Sequence, residues 1–224
     1  PPTSSPRLPM PLGETEVSRN AFDYYPTPPE AALTLLEYLR AHGLDDVAQA
    51  IDPAAGSGAL PTWLKPLGAQ WALYELCSVW GPVLEGLDSV SALVMGDSLQ
   101  EQWPDGAIFA NPPFGADLVR FMEKIVSHCR SKERLGCVLV PAPWWGEGDR
   151  AHRWKPDVLL WITKRMSFDG GKQVPTTHVW SIFLPEPSDG TRIEWAHPVT
   201  PSYEQTKAHK AMLKYNPFQM ELFG

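Results

Sequence analysis

The sequence predicts an α/β fold, a mostly parallel sheet covered by helices on both faces and closed by an antiparallel hairpin. Three observations predict it. Short apolar runs alternate with segments of helical period through the first two thirds of the chain, which is the pattern of βαβ units with parallel strands. A glycine-rich turn, Asp52-Pro53-Ala54-Ala55-Gly56-Ser57-Gly58, directly follows the first apolar run. In the last third, two strand-like runs follow one another with no helical segment between them.

The elements can be justified in order. Pro1 to Pro11 is rich in Pro and Ser with no apolar period, so the first 22 residues read as a disordered arm. A helix starts near Pro29, with Thr27 as its cap ahead of two prolines. Leu33, Leu36 and Leu39 share one face of it, and Gly43 ends it. Val47 to Ile51 is a short buried strand. After the glycine turn, a helix runs from about Ala59 to Leu67, with Pro61 in its first turn. Gln70 to Leu76 reads as a strand, Val79 to Leu87 as a helix, Ser91 to Met95 as a strand and Ala107 to Ala110 as the fourth strand. Ala116 to Arg130 carries apolar residues at helical spacing, and Gly136 to Val140 is the fifth strand. Val158 to Met166 and His178 to Leu184 form the hairpin, joined by a loop containing Gly170-Gly171 and Pro175. Arg192 to Trp195 has the composition of a further short strand. Residues 23–199 form the predicted catalytic domain, and 200–224 a partly helical tail rich in Lys, His and aromatics.

Composition bounds the function. The 224 residues suffice for one well-buried domain. No apolar stretch approaches the roughly 20 residues that span a bilayer, and no secretory signal pattern opens the sequence. Cys77, Cys129 and Cys137 have no metal-type spacing and cannot all pair. They read as reduced thiols and favour a cytoplasmic setting. A net charge of −7 argues against coating nucleic acid non-specifically, although a local basic groove remains compatible with it. The 10 tryptophans supply core and stacking surfaces.

In open α/β sheets, ligands bind beyond the carboxyl ends of strands. Gly56 and Gly58 permit a tight turn and leave no Cβ in the way of a nucleotide-like cofactor. Glu75, 19 positions beyond Gly56 at the end of the second strand, is placed to accept from two ribose hydroxyls. Asp97, after the third strand, can accept from an adenine amino group. Asp52 reads either as part of this site or as a loop residue. The turn lacks the spacing G-x-G-x-x-G of nicotinamide sites.

The second motif, Asn111-Pro112-Pro113-Phe114, ends the apolar strand Ala107 to Ala110. An exocyclic amino nitrogen on a heteroaromatic ring is a poor nucleophile, because its lone pair is delocalised. Two acceptors aimed at its hydrogens favour a more tetrahedral nitrogen. The Asn111 side-chain oxygen and the Pro112 carbonyl can supply them, held in place by two prolines. Phe114 offers a flat face for a base. A later Asn216-Pro217-Phe218 lacks the second proline and the preceding strand, and is given no role.

Together these residues carry a resemblance. DPAAGSG resembles the S-adenosylmethionine motif of amino-methyltransferases, NPPF resembles their [DNS]-P-P-[YFW] signature, and Tyr25-Pro26-Thr27-Pro28 resembles the segment that precedes the cofactor motif in adenine methyltransferases. From about Tyr24 to Leu184 the chain is similar to compact DNA adenine-N6 methyltransferases, including phage-borne forms. The resemblance implies a Rossmann-like class I methyltransferase fold with a seven-stranded, mostly parallel sheet. It implies S-adenosylmethionine as cofactor, held by Tyr25, Thr27, Asp52, Pro53, Ala54, Gly56, Gly58, Glu75, Leu76, Asp97, Ser98 and Asn111. Catalysis would fall to Asn111, Pro112, Pro113 and Phe114, with no metal and no strong general base. Thr27 would be a cofactor contact, or only the helix cap.

The implied partner is DNA with a flipped adenine, bound by a monomer or a homodimer. Trp144 and Trp145 are the candidate wedge and base receiver, or else caps on the core. Phe168 would oppose Phe114. Arg150, His152, Arg153, Lys155 and Lys172 would form the local basic groove. Only 53 positions separate Gly58 from Asn111, which leaves no room there for a target-recognition domain. Methylation of an RNA base or of a protein glutamine, and a catalytically inactive scaffold, remain the alternatives.

Overall fold

The computed structural model describes residues 25–115, 117–164, 166, 168 and 176–214. The N-terminal arm at 1–22, Lys172 and Asn216-Pro217-Phe218 lie outside the described residues.

Eight strands form one sheet: β1 (Gln49–Asp52), β2 (Gln70–Glu75), β3 (Val90–Met95), β4 (Ala107–Ala110), β5 (Gly136–Pro141), β6 (Val158–Ile162), β7 (His178–Phe183) and β8 (Arg192–Ala196). Their order is β3-β2-β1-β4-β5-β7-β6-β8. β7 alone runs antiparallel to its neighbours, β5 and β6. The eighth strand is the departure from the seven expected. The Arg192–Ala196 run pairs parallel to β6, with Leu159 opposite Ile193 and Trp161 opposite Trp195.

The helices are α1 (Pro29–Ala41), α2 (Ala59–Trp63), α3 (Gly81–Glu85), α4 (Asp117–Lys132), α5 (Arg150–Trp154) and α6 (Tyr203–Lys214). Prolines set several of their limits. α2 stops at Trp63 and continues only as a 3-10 turn over Lys65–Leu67, because Pro66 has no N–H to bond the carbonyl of Thr62. The helix expected from Val79 begins instead as a 3-10 turn over Ser78–Trp80 and becomes helical at Gly81, with Pro82 in its first turn. α1 is capped by Pro28, and no side chain bonds its first amides. Thr27 is therefore not the cap that the sequence suggested.

The two faces of the sheet bury separate cores. One lies under α1, α2 and α3 and includes Leu35, Leu39, Trp63, Trp71, Phe109 and Trp180. The other lies under α4 and α5 and includes Ile108, Met122, Ile125, Val138 and Phe183. Each fully buried side chain of this kind stabilises the fold by about 1.5–3 kcal/mol before entropy is charged. Polar atoms lock the layers: Trp180 Nε1 donates to the Ala31 carbonyl at 3.0 Å, tying β7 to α1. Asp157, 1% exposed, accepts from Leu184 N, Ser188 N and Ser188 Oγ, and pairs with Arg130 of α4 at 2.9 Å. This carboxylate joins the start of β6, the turn after β7 and a helix on the opposite face. α6 turns back onto α1 and α2 and buries His209.

Candidate active site

Strand order reverses between β1 and β4, since β2 and β3 lie to one side of β1 and β4 and β5 to the other. A crevice opens at the carboxyl ends of strands at such a point. Here it is a cleft of about 500 Å³. Its floor is the turn after β1, where Gly56 has φ +52°, a conformation that costs glycine nothing.

Glu75, at the end of β2, fixes that turn. Its Oε2 accepts from Gly56 N and its Oε1 from Cys77 N, each at 2.7 Å. Burial raises its pKa against these hydrogen bonds. Each oxygen still has a lone pair for a ligand. Asp52, fully buried beneath the turn, accepts from Ala54 N at 3.1 Å. Burial pushes its carboxyl up to about 8, and the Glu75 charge adds to the rise. Asp97 accepts from Leu99 N at 3.0 Å. Leu76 stands 63% exposed at the mouth. Pro53, Ala54 and Ser98 complete this half of the wall.

Asn111 forms the other half. Its Nδ2 donates to the Tyr25 carbonyl at 2.9 Å. Because a carbonyl can only accept, the amide orientation is fixed, and Oδ1 faces away from Tyr25. That oxygen is buried and has no partner. Pro113 lines the cleft beside it, with Pro112 buried next in the chain. Tyr25 and Thr27 complete the wall, and the Thr27 carbonyl accepts from Trp63 Nε1 at 2.9 Å.

Two further residues were given no role of their own in the sequence. Ser57 lines the cleft with a buried, unpartnered hydroxyl. His178 packs between two aromatics singled out earlier, 5.4 Å from Phe114 and 4.7 Å from Phe168 between ring centroids. Phe168 also meets the Tyr25 ring edge-on. Burial lowers the His178 pKa to about 4, so the imidazole is neutral at pH 7. Its signal was available: a histidine opens an otherwise apolar strand, opposite Pro141 at the carboxyl end of β5.

Other expected residues lie elsewhere. Gly58 does not line the cleft. A Cβ there would come within 2.7 Å of Leu87, and with φ +74° its glycine serves packing against the segment around α3. Trp144 and Trp145 are buried in the second core. Trp145 Nε1 donates to Ser181 Oγ at 2.8 Å, and Trp144 stacks on Trp154. They are core caps, the plainer of the two readings. Arg150 and Arg153 do not stand as free cations for a basic groove: Arg150 pairs with Glu147 and Arg153 with Glu123, on a short helix packed along α4. Lys155 is exposed. His152 is exposed on the same short helix.

No protein-family model matches the chain, and no curated protein matches it. Solved structures do share its fold. A candidate class I S-adenosylmethionine-dependent methyltransferase from Listeria monocytogenes superposes with TM-score 0.61 at 13% identity, over 85% of this chain and 71% of that one. A candidate RNA methyltransferase from Pyrococcus horikoshii gives 0.55 at 20% identity, over 73% and 86%. A modification subunit of a candidate type I restriction enzyme from Vibrio vulnificus gives 0.55 at 13% identity. It covers 90% of this chain and 53% of that one. The fold is that of class I methyltransferases.

Proposed function

We propose that the protein transfers a methyl group from S-adenosylmethionine to the N6 amino group of adenine in DNA. The observation that carries this reading is the Asn111 Oδ1 acceptor, buried, oriented and unpartnered at the edge of the cleft. An orphaned acceptor of this kind costs about 1–3 kcal/mol, and an amino hydrogen would satisfy it.

The cofactor half of the cleft fits. Glu75 retains lone pairs toward the cleft for two ribose hydroxyls, Asp97 can accept from an amino group, and the free Ser57 hydroxyl suits a polar end. The bound cofactor supplies an already activated methyl on a sulfonium. What the chain contributes is alignment. Phe114 and the neutral His178 ring form an aromatic corner for the base. Asn111 and the Pro112 carbonyl hold the amino group so that its lone pair points at the methyl. The nitrogen gains a carbon and loses one proton to water, which needs no strong base because the alkylated amine is a strong acid. The order of motifs, cofactor turn before amino pocket, and the resemblance to adenine enzymes favour N6 of adenine over N4 of cytosine.

The test is incubation with labelled S-adenosylmethionine and unmethylated DNA, RNA or protein, followed by nucleoside mass spectrometry. N6-methyldeoxyadenosine is the expected product. N4-methylcytosine alone would overturn the adenine assignment. Label on RNA or protein with none on DNA would overturn the substrate.

A further inference from the structure

A second cleft, of about 290 Å³, opens where the start of α1, the chain just past β6 and α6 meet. β6 runs parallel to β1 through two antiparallel steps, so Lys164 past its end lies at the same edge of the sheet as the candidate active site. The segment from Tyr25 to Glu30 separates the two clefts. Tyr25, Pro26 and Thr27 line the first, and Pro29 and Glu30 the second.

His209 lines this second cleft at 6% exposure, and its Nε2 is buried with no partner. Burial lowers the pKa of the ring, which favours the neutral imidazole, and the unpartnered Nε2 is left for a ligand. Glu30 adds a carboxylate at one end of the cleft, and Lys164 and Lys210 add two exposed ammonium groups. A free ring nitrogen and a carboxylate beside two cations suit a ligand that carries both amino or hydroxyl groups and an anion. A nucleotide unit has this combination: a phosphate for the lysines, and a base amino group or a sugar hydroxyl for His209 and Glu30.

We infer that this cleft binds a nucleotide flanking the target base, on the same strand that enters the active site. The inference rests on the nucleic-acid reading above. The wall between the clefts also links them. His209 meets the Trp63 ring edge-on, Trp63 Nε1 holds the Thr27 carbonyl, and the Tyr25 carbonyl orients Asn111. A strand seated on His209 therefore braces the segment that positions the catalytic amide.

The experiment measures binding of a short labelled single-stranded DNA by fluorescence anisotropy across salt concentrations. Wild type is compared with Lys164→Ala/Lys210→Ala and with His209→Asn, which removes the distal ring nitrogen. Losing two phosphate contacts should flatten the slope of log affinity against log salt by about 1.4. That amounts to about 25-fold weaker binding at 0.1 M salt, with the same exponent taken from 1 M. His209→Asn should weaken binding by roughly threefold to tenfold, the worth of one hydrogen bond, with the slope kept. Both lysines are exposed, so an unchanged melting temperature accompanies their effect.

Unchanged affinity and slope in the lysine variant, with a wild type that methylates DNA, would overturn the second cleft and leave the proposed activity standing. A wild type that neither binds nor methylates the strand would overturn both. Adenosine monophosphate serves as a separate probe. If the lysine variant loses it while strand binding is unaffected, the cleft is a free-nucleotide site and the strand assignment is wrong.

Discussion

Asn111→Ala separates chemistry from architecture, because its two effects on stability oppose each other. The change removes the 2.9 Å bond from Nδ2 to the Tyr25 carbonyl, worth about 0.5–1.5 kcal/mol. It also removes the buried, unpartnered Oδ1, whose desolvation costs about 1–3 kcal/mol. The sum leaves folding stability within about 2 kcal/mol of the parent. For a chain of this size that is about 5 °C or less in Tm. Pro112 and Pro113 still define the turn. Turnover has no such compensation, because the lost acceptor is a preorganised electrostatic contact, worth on the order of 10²–10³ in rate. The assays are thermal unfolding and single-turnover methyl transfer at saturating cofactor and DNA. Transfer at the parental rate would show that the motif is a structural turn. A loss of more than about 3 kcal/mol of stability would show that Asn111 holds the fold rather than the substrate.

Further predictions concern neighbouring groups. Both Glu75 oxygens face a backbone N–H, so Glu75→Gln must turn an amide hydrogen toward one of them. Cofactor affinity by calorimetry should drop by about 1–3 kcal/mol, and unchanged affinity would remove Glu75 from the site. Asp52 keeps its proton in the folded state up to about pH 8, well above its ordinary value of 3.8. Its contribution is fully present below about pH 4 and is lost as pH rises through 8. Urea unfolding between pH 5 and 9 should show stability falling more steeply in the parent than in Asp52→Asn, and parallel curves would refute this. Phe114→Ala should weaken capture of the target base by roughly 1–3 kcal/mol, read as a raised KM for DNA. Asp157→Ala takes the carboxylate from a partly buried Arg130 and leaves two backbone donors, Leu184 N and Ser188 N, unpaired. It should cost about 3–5 kcal/mol, and chemical denaturation showing less than 1 kcal/mol would mean that water replaces the carboxylate.

The parts of the fold legible in the sequence were those written as periodicity. The central parallel strands and α4 carry uninterrupted apolar patterns, so both their type and their place could be read. Element ends were less legible, because prolines 66 and 82 shorten α2 and α3 in ways that apolar spacing does not record. β8 was read only as a possible addition, since Ile193 and Trp195 stay exposed on an edge and give no burial signal. In the site, Gly56, Glu75 and Asn111 were legible because each sits at or just past the carboxyl end of a strand. His178 was missed because its one local mark, a histidine opening an apolar strand, does not say what it meets; the crossing of β7 beside β5 sets it between Phe114 and Phe168. Ser57 was read only as part of the glycine turn, whose closure places it in the cleft wall. Trp144 and Trp145 could be read either way, as a stacking surface or as core caps, and the structure places them in the core. A tryptophan pair looks like a stacking surface in sequence, and whether it faces a ligand or the core depends on the direction in which α5 leaves β5.

The wall between the two clefts is gripped by its main chain. Asn111 Nδ2 and Trp63 Nε1 bind the carbonyls of Tyr25 and Thr27 in turn. Every amino acid offers that carbonyl, so the anchors do not depend on which side chains the segment carries. The side chains of Tyr25 and Thr27 line the cleft, yet neither has the task of aiming the Asn111 amide. Substitutions at these two positions would read out in what the cleft binds, with the aim of Asn111 left to the main chain.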